Sequence, residues 1–357
     1  MASLPIIERD PTLEAADAAL EALGNAEPHR PYLGMSSIGR PCFRELWYGF
    51  RWCSRKTFDA ATLKRFDDGH RGEDVQAERL RLVPGVTLYT TDPRTGGQFG
   101  FSDLAGHFRG HADGMVQGLL QAPKRWHIWE HKQTDEKKQA KLIKLKQDNG
   151  EKQSLAAWDE VYHAQGLLYM HYSGMERHYL TCASAGGRHT ISVRTDADTA
   201  AAQVLIDKAA RIIQAPEPPA KLSERPDWYQ CRWCDHRAVC HEGKIPEATC
   251  RTCAHATPEM DGDGRWSCAK FGCDLPLDAQ RQGGQCPAHA FIPALMPWPA
   301  VDANAEAGWI EYQKPDGTKL RNGPGGYASR ELLANAGIAG DIGVDRMKRA
   351  FSAEIVG

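Results

Sequence analysis

The stretch His127–Gln133, HIWEHKQ, joins an apolar strand-like run to a carboxylate and an ammonium two positions apart. Side chains two apart on a strand project from the same face, so Glu130 and Lys132 share a face with Ile128. Burying such a pair costs several kcal/mol unless other groups compensate. The strand is therefore either a surface strand with an exposed ion pair or part of a site that binds a cation.

The composition is that of an ordinary globular protein. The chain has 357 residues, of which 41% are hydrophobic and 25% charged, with a formal net charge of −2. This length allows roughly two or three domains. Without a global basic excess, any nucleic-acid surface must be local. No apolar run has the length of a membrane span, and the first residues do not form a signal-peptide pattern. We therefore expect a cytoplasmic protein with no membrane partner.

The order of predicted elements indicates an α/β core with a mixed sheet. The patterns predict a helix beginning at Asp10-Pro11, a helix at Pro41–Phe50, a helix over 57–82, short strands between Val86 and Gly118, a helix over Leu155–Tyr172, a hairpin turning at Gly186-Gly187, and a helix near 197–213. The predicted domains are an N-terminal helical extension (1–35), the core (36–243), a Cys-rich module (244–298) and a small C-terminal module (299–357).

A second carboxylate lies just upstream of the opening strand. Asp113, in GHADG, precedes Glu130 on the predicted neighbouring strand of a hairpin. Two close carboxylates repel unless they are protonated or bridged, and Mg²⁺ or Mn²⁺ would bridge them while keeping positions open for phosphates. Lys132 would then orient a water or neutralise developing charge, as in metal-assisted phosphodiester hydrolysis. The alternative of a surface Glu–Lys pair stays open, because E-x-K is a common pattern.

Two helical pairs could complete this site. Glu73 and His70 share a face of the long helix, and either is a candidate metal ligand. Gln165 and Tyr169, at i and i+4, could bring their polar tips to the sheet edge. Each pair also has a plain alternative: a solvated helical face for the first, and core packing for the second.

The segment 134–152 is net basic in a slightly acidic chain. It contains the candidate DNA-binding residues Lys137, Lys138, Lys141 and Lys144. Such a run is commonly just a solvated surface. Beside a phosphodiesterase site it could hold a nucleic-acid backbone.

In this order and spacing, the motifs resemble the PD-(D/E)XK nucleases of the RecB type. The resemblance is carried by G-x-x-D (Gly110–Asp113), E-x-K (Glu130–Lys132) and Q-x-x-x-Y (Gln165–Tyr169), over roughly residues 36–240. It implies a restriction-endonuclease-like mixed sheet flanked by helices. It also implies Asp113 and Glu130 as Mg²⁺ or Mn²⁺ ligands, Lys132 as catalytic, and Gln165 and Tyr169 as supporting residues.

The chain departs from the family pattern on the first helix. One subgroup of these nucleases, which carries an iron–sulfur cluster, often has a His four residues after a Gly on this helix. Here Gly69 is followed at that spacing by Glu73, and His70 is adjacent to the Gly. We predict Glu73 as the ligand, with the main-chain carbonyl of His131 as a further one.

Eight of the eleven cysteines lie between Cys231 and Cys286, which in a reducing compartment indicates metal ligands before disulfides. Cys231, Cys234 and Cys240 read C-x₂-C-x₅-C, and Cys42 at the other end of the core could supply a fourth thiolate. From chemistry alone, an iron–sulfur cluster and a zinc ion are equally open. The arrangement is similar to the iron–sulfur subgroup, which includes AddB-type and CRISPR-associated RecB-like exonucleases. The resemblance implies a [4Fe–4S] cluster that staples the domain.

A second cysteine group lies outside the resemblance. Its knuckle-like spacing fits tetrahedral zinc. The predicted ligands are Cys250, Cys253, Cys268 and Cys286, with His289 or Cys273 as substitutes.

The leading hypothesis is an iron–sulfur DNA nuclease of bacterial or phage origin. It would be a hydrolase, and specifically an exonuclease acting in recombination or repair, with proteins of those pathways as further partners. The alternative is a non-catalytic nucleic-acid-binding or scaffold protein in which both cysteine groups are structural.

Overall fold

The computed structural model describes residues 10–356, which form a mixed α/β protein. The helices are α1 (Pro11–Asn25), α2 (Phe43–Phe50), α3 (Ala60–Arg81), α4 (Glu136–Asn149), α5 (Ser154–Trp158), α6 (Glu160–Ser173), α7 (Thr199–Gln214), α8 (Tyr229–Arg232), α9 (Arg237–His241), α10 (Leu277–Arg281), α11 (Ser329–Asn335) and α12 (Ile342–Phe351). Short 3₁₀ helices lie at Met35–Ser37, Cys250–Thr252, Gly283–Gln285 and Pro293–Leu295.

The strands belong to four sheets. They are β1 (Leu33–Gly34), β2 (Thr87–Tyr89), β3 (Phe99–Asp103), β4 (Phe108–Ala112), β5 (Gly114–Gln117), β6 (His127–Thr134), β7 (Arg177–Ser184), β8 (Thr190–Asp196), β9 (Ala256–Pro258), β10 (Trp266–Cys268), β11 (Cys273–Asp274), β12 (Ala300–Asn304), β13 (Trp309–Gln313) and β14 (Lys319–Asn322). One sheet has five strands in the order β2-β5-β6-β7-β8; the others have three, in the orders β1-β4-β3, β11-β10-β9 and β12-β13-β14.

The described chain divides into two compact units, each built from several segments. Unit 1 comprises residues 10–29, 56–100 and 111–198, and unit 2 comprises residues 30–55, 101–110 and 199–356. The contiguous domains predicted from sequence do not anticipate this interleaving. The first nine residues of the predicted N-terminal extension lie outside the described residues.

Unit 1 is organised around the five-stranded sheet, which is mixed as predicted. β6 pairs in parallel with β7, whereas the β2–β5, β5–β6 and β7–β8 pairs are antiparallel. Apolar side chains cover both faces. On one face α3 contributes Ala77 and Leu80 to a cluster with Trp129, and on the other α4 and α5 contribute Leu142 and Leu155 to a second cluster. The β6 strand is therefore covered on both sides.

Local sequence chemistry explains where several helices begin. Asp10 caps α1 through hydrogen bonds from Thr12 N and Leu13 N, and Pro11 occupies the first turn, as predicted. The single helix predicted over Leu155–Tyr172 is in fact two helices. Asp159 breaks it, because it adopts an extended conformation (φ −155°) and caps α6 through Val161 N and Tyr162 N.

The Lys-rich segment, for which no helix was predicted, contains α4. Asp135 caps this helix by accepting a hydrogen bond from Lys138 N, and Leu142 anchors it in the core. The helix is otherwise polar, and it packs on the core through a narrow face formed by the buried side chains of Gln139 and Leu142.

Unit 2 holds both cysteine groups and the C-terminal module. The predicted strand Trp309–Gln313 is β13, and the predicted helix at Ser329 is α11. Ile310, Tyr312 and Leu320 form a core beneath this small sheet together with Leu332 of α11. Among residues 10–356, no helix is both long enough and apolar enough to cross a bilayer.

Candidate active site

The antiparallel pairing of β5 with β6 brings the two predicted carboxylates together. Gly114 pairs with Trp129, so Asp113, the residue before β5, lies beside Glu130. Glu130 Oε1 accepts a hydrogen bond from Asp113 N at 3.3 Å, and Asp113 Oδ2 accepts one from His131 N at 2.8 Å. The Glu130 carboxylate is thus held by the backbone of Asp113, and the Asp113 carboxylate by the backbone of His131.

Glu130 is buried, with only 1% of its side chain exposed. Its Oε2 accepts hydrogen bonds from Lys132 Nζ at 2.7 Å and from Gln165 Nε2 at 3.0 Å. Lys132 Nζ also lies 3.8 Å from Asp113 Oδ2. This burial excludes the alternative of a surface Glu–Lys pair.

Gln165 and Tyr169 meet on α6, as their spacing predicted. Gln165 Nε2 lies 3.2 Å from Tyr169 Oη, and both side chains are buried. Gln165 therefore links the helix to Glu130 and fixes the direction of the carboxylate. Tyr162, one turn earlier, was not predicted as a site residue, yet its ring centroid lies 5.4 Å from Lys132 Nζ. The signal was available, because Tyr162 is three residues before Gln165 on the same helix.

Of the two candidates on α3, Glu73 reaches the site and His70 does not. Burial raises the pKa of Glu73, and the nearby Asp113 carboxylate raises it further. His70 is exposed and makes no described contact with the carboxylates. α3 lies close to β6 at Gly72, where a Cβ would lie 1.9 Å from Gln133 Oε1, the end of a flexible side chain that could turn aside.

The side chain of His131 contacts Thr181 and not the partners of the Glu130 carboxylate. Its Nδ1 lies 3.0 Å from Thr181 Oγ1, and burial lowers the pKa of the imidazole to about 4. The imidazole is thus neutral near pH 7 and is part of the core. Only the main-chain carbonyl of His131 stays a candidate metal ligand.

The site carries more negative than positive charge. Glu73, Asp113 and Glu130 face a single ammonium, Lys132. Burial raises the pKa of Glu130, with a further increase from Asp113. Burial also lowers the pKa of Lys132, but Glu130 and Asp113 outweigh this and raise it overall, so the lysine stays protonated. The carboxylates must bind either protons or a further cation.

We call Glu73, Asp113 and Glu130 the carboxylate cluster. Its oxygen donors suit a hard divalent cation. As placed, however, no three His, Cys, Asp or Glu side chains within residues 10–356 converge to hold a metal ion. Both oxygens of Glu130 instead hold hydrogen bonds. The fit to Mg²⁺ or Mn²⁺ therefore rests on donor chemistry and charge.

The four cysteines predicted for iron–sulfur ligation line one cavity in unit 2. They are Cys42, Cys231, Cys234 and Cys240. Cys42 caps α2, where its Sγ accepts a hydrogen bond from Glu45 N at 3.4 Å. The fold thus joins a thiol from residue 42 with three thiols from beyond residue 230, although the thiols are not arranged as metal ligands.

The second cysteine group shares a separate cavity in unit 2. It is lined by Cys250, Cys253, Cys268 and Cys286 together with His289. The ring nitrogens of His289 already have partners, Ser329 Oγ at 2.7 Å and Thr249 O at 2.9 Å, so His289 has no free nitrogen for zinc. Cys273 is exposed and does not line the cavity. We therefore drop both substitutes and keep the four cysteines.

The lysines of α4 divide into two kinds. Lys138 is half-buried and donates to Asp159 Oδ2 at 2.9 Å, so its charge is already paired within the protein. Lys137, Lys141 and Lys144 are exposed. Their i, i+4, i+7 spacing puts them on one face of α4, and we call these three the lysine stripe.

Comparisons with known proteins add little. No family model and no curated protein matches the chain. Among solved structures, SSO0001 has a TM-score of 0.37 at 11% identity, covering 66% of this chain and 98% of that one. The alkaline exonuclease LHK-Exo from Laribacter hongkongensis has a TM-score of 0.37 at 12% identity, covering 55% and 90%. Its complex with dAMP has a TM-score of 0.36 at 12% identity, covering 56% and 90%. TM-scores this low carry no argument about function.

If the carboxylate cluster binds a divalent cation, the raised pKa values of Glu73 and Glu130 predict that its affinity depends on pH. Below its raised pKa, each carboxyl group holds a proton that a cation must displace, so Mn²⁺ affinity should increase as the pH rises over roughly pH 5 to 9. Titration calorimetry in two buffers of different ionisation enthalpy would count the protons released. Glu130→Gln is the control, because it removes one titrating group and should flatten the dependence. An affinity for Mn²⁺ that is independent of pH would contradict the assignment.

Proposed function

We propose that this chain is a divalent-cation-dependent DNA nuclease. One observation carries the proposal: a half-buried lysine and a buried glutamate share a hydrogen bond beside two further carboxylates. Burying charge in this way is costly unless it serves a purpose or is compensated. Hydrolysis of a phosphodiester, which is anionic and binds divalent cations, accounts for both signs of charge.

The residues have distinct roles in this proposal. Asp113 and Glu130 would hold Mg²⁺ or Mn²⁺, with Glu73 and the carbonyl of His131 as further ligands. The cation supplies Lewis-acid polarisation of the phosphate and lowers the pKa of water. Lys132 donates hydrogen bonds to the charge that develops on the phosphate oxygens, and its raised pKa suits a donor rather than a general base.

Gln165 and Tyr169 act as positioning residues. Gln165 donates to Glu130 Oε2, the same oxygen that Lys132 contacts, so it restrains the carboxylate while Lys132 turns toward substrate. Tyr169 supports the Gln165 amide from one turn further along α6. Neither residue has to touch DNA for this role.

DNA would contact unit 1 along the lysine stripe. α4 begins at Glu136, two residues after β6 ends at Thr134, so the stripe follows the catalytic strand directly in the chain. Exposed lysines bind the phosphate backbone without reading sequence. A [4Fe–4S] cluster at Cys42, Cys231, Cys234 and Cys240 would hold the segments of unit 2 together.

We take exonucleolytic action in recombination or repair as the working mode. Its test is digestion of end-labelled linear DNA and covalently closed circular DNA side by side, with Mg²⁺ or Mn²⁺ and with a chelator control. Loss of linear DNA alone supports an exonuclease, and cleavage of both supports an endonuclease. No cation-dependent cleavage of either would favour the rival, a non-catalytic nucleic-acid-binding or scaffold protein.

Substitutions at the site should differ in kind. Glu130→Gln removes a ligand, so Mn²⁺ affinity and cleavage should fall together. Lys132→Met leaves the carboxylates more negative, so Mn²⁺ and DNA binding should persist while the cleavage rate falls by about 10²–10³-fold. Single-turnover cleavage and calorimetry measure the two quantities, with circular dichroism to confirm folding.

The two candidates on α3 provide a matched pair for the same assay. Glu73→Gln should weaken Mn²⁺ binding, whereas His70→Ala, at an exposed position three residues away, should behave like the wild type. Cleavage near the wild-type rate by Lys132→Met or Glu130→Gln would remove the catalytic assignment.

The lysine stripe should contribute affinity without chemistry. Replacing Lys137, Lys141 and Lys144 with alanine should lower the dependence of log K on log salt by about 2–3, if each lysine neutralises one phosphate. The matched control replaces all three with arginine, which keeps the charge and should keep the slope. An unchanged slope in the alanine variant would show that DNA binds elsewhere.

The iron–sulfur assignment predicts a brown protein after anaerobic purification, with about four iron atoms per chain. Cys42→Ser should lose colour and iron, because it removes one of four thiolates. The control is Cys273→Ser, which changes an exposed cysteine outside the cavity. Iron-free wild-type protein purified without oxygen would refute the cluster.

A further inference from the structure

Two buried arginines in unit 2 have no carboxylate partner. Arg51 is 3% exposed and Arg251 is 1% exposed. Within residues 10–356, no carboxylate oxygen lies within ion-pair distance of either guanidinium. Glu217 and Glu259 line the same groove as Arg51, but neither forms an ion pair with it. A buried charge without a counter-charge is destabilising, so this pair requires an explanation.

The contacts of Arg251 satisfy its hydrogen bonds but not its charge. Its guanidinium donates to Gln280 Oε1 at 2.8 Å and to the carbonyls of Phe50 and Pro31 at 2.9 Å each. It also lies 3.9 Å from the ring centroid of Trp52 and 4.6 Å from that of Trp266. All these partners are neutral, so a full positive charge remains.

Arg51 is less well satisfied still. It donates only at 3.2–3.4 Å, to the carbonyls of Arg251, Ala256 and Ala215. Its Nε is buried with no hydrogen-bond partner. Both guanidiniums also lie against the same indole ring, with Arg51 at 5.0 Å and Arg251 at 4.6 Å from the ring centroid of Trp266, so two positive charges lie close together in the interior.

Both arginines adjoin the second cysteine group, although neither lines its cavity; one cation that does line the cavity is Lys270. Arg251 lies between Cys250 and Cys253 in the chain, and Arg51 lines a groove together with Cys253. The remaining two thiols come from β10 and from the turn after Gly283–Gln285. A Cβ on Gly283 would lie 2.1 Å from Cys250 N, so glycine is required for that turn to pack against the first cysteine.

We propose that Cys250, Cys253, Cys268 and Cys286 bind one zinc ion as thiolates, and that Arg51 and Arg251 are its counter-charges. Four thiolates on Zn²⁺ release four protons and leave a centre of net charge −2, which nearby positive charge stabilises. Arg51 and Arg251 supply such charge from beside the cavity, and Lys270 supplies it from the cavity lining. The four sulfur ligands agree with the hydrogen-bonded state of His289.

One neighbour is a rival ligand. His255 lines the same cavity, and its Nε2 is buried without a partner. Coordination by His255 in place of one cysteine would change the net charge of the centre from −2 to −1. Replacing His255 with asparagine therefore belongs in the test, and zinc content should stay unchanged.

The first experiment measures zinc and iron in the full-length protein by elemental analysis. We expect about one zinc per chain. Cys268→Ser should lose it, whereas Cys273→Ser, which changes the residue paired with Cys268 on the neighbouring strand, should keep it. Zinc retained by Cys268→Ser, zinc lost by His255→Asn, or iron in place of zinc at these cysteines would overturn the proposal.

The second experiment tests the counter-charges. Arg51→Met removes one charge, and Arg51→Lys keeps it. Zinc transfer to a chromogenic chelator should show an affinity weakened by roughly 10–100-fold in the methionine variant, as for other outer-shell partners of metal sites, and largely restored in the lysine variant.

A purely structural role predicts a different pattern. If Arg51 only packs against aromatic rings, Arg51→Met should destabilise the zinc-free and zinc-loaded proteins equally. If it is a counter-charge, the zinc-free protein should become no less stable, and the gain in melting temperature on adding zinc should shrink. Equal zinc affinity in the wild type and Arg51→Met would refute the counter-charge assignment. These measurements involve no DNA cleavage, so their outcome is independent of the proposed nuclease activity.

Discussion

The buried carboxylate of Glu130 is the constraint on which unit 1 depends. A charged group this far from water is tolerable only if every oxygen is satisfied, and the fold supplies a donor from each direction. The donors are Lys132 Nζ from the same strand, Gln165 Nε2 from α6, and the backbone N–H of Asp113, the residue before β5. Removing one partner of such a pair typically costs about 3–5 kcal/mol. The position of α6 and the register of β5 on β6 are therefore coupled to the same carboxylate.

The two units show opposite charge imbalances. In unit 1, three carboxylates surround one ammonium, and a cation would complete the balance. In unit 2, two guanidiniums lie among neutral acceptors, and an anionic centre would complete it. Each imbalance lies where a charged group is proposed to bind: a divalent cation in unit 1, and a zinc–thiolate centre in unit 2. Hydrogen bonds alone explain neither, because a hydrogen bond to a neutral carbonyl satisfies geometry and leaves the charge uncompensated.

Periodicity and spacing predicted much of the secondary structure and the partners around Glu130. The alternation on β6 and the i, i+4 spacing of Gln165 and Tyr169 are local rules, and the structure follows them. What could not be predicted depended on competition among neighbours. Asp159 separates α5 from α6, because its extended backbone ends the first helix and its carboxylate caps the second. Lys138 forms an ion pair with that same Asp159, a contact that its spacing on α4 did not indicate.

Other misses depended on contacts distant in sequence. His289 has zinc-like spacing after Cys286, but Ser329 and Thr249, up to forty residues away, occupy both of its nitrogens. Arg51 and Arg251 are two hundred residues apart, so no local pattern marks them as neighbours. The passages of the chain between the two units likewise depend on contacts distant in sequence.

The interleaving of the units has a consequence for synthesis. The chain passes between units at residues 29/30, 55/56, 100/101, 110/111 and 198/199. α2, with Trp47 and Phe50 on its buried face, leaves the ribosome long before α7, which packs on it within unit 2. Its apolar face stays exposed while about 150 further residues are synthesised, and unit 1 can already pair its strands in that time. Nascent unit 2 therefore exposes apolar surface for longer than unit 1, and the proposed metal sites can assemble only after Cys240 and Cys286 have been synthesised.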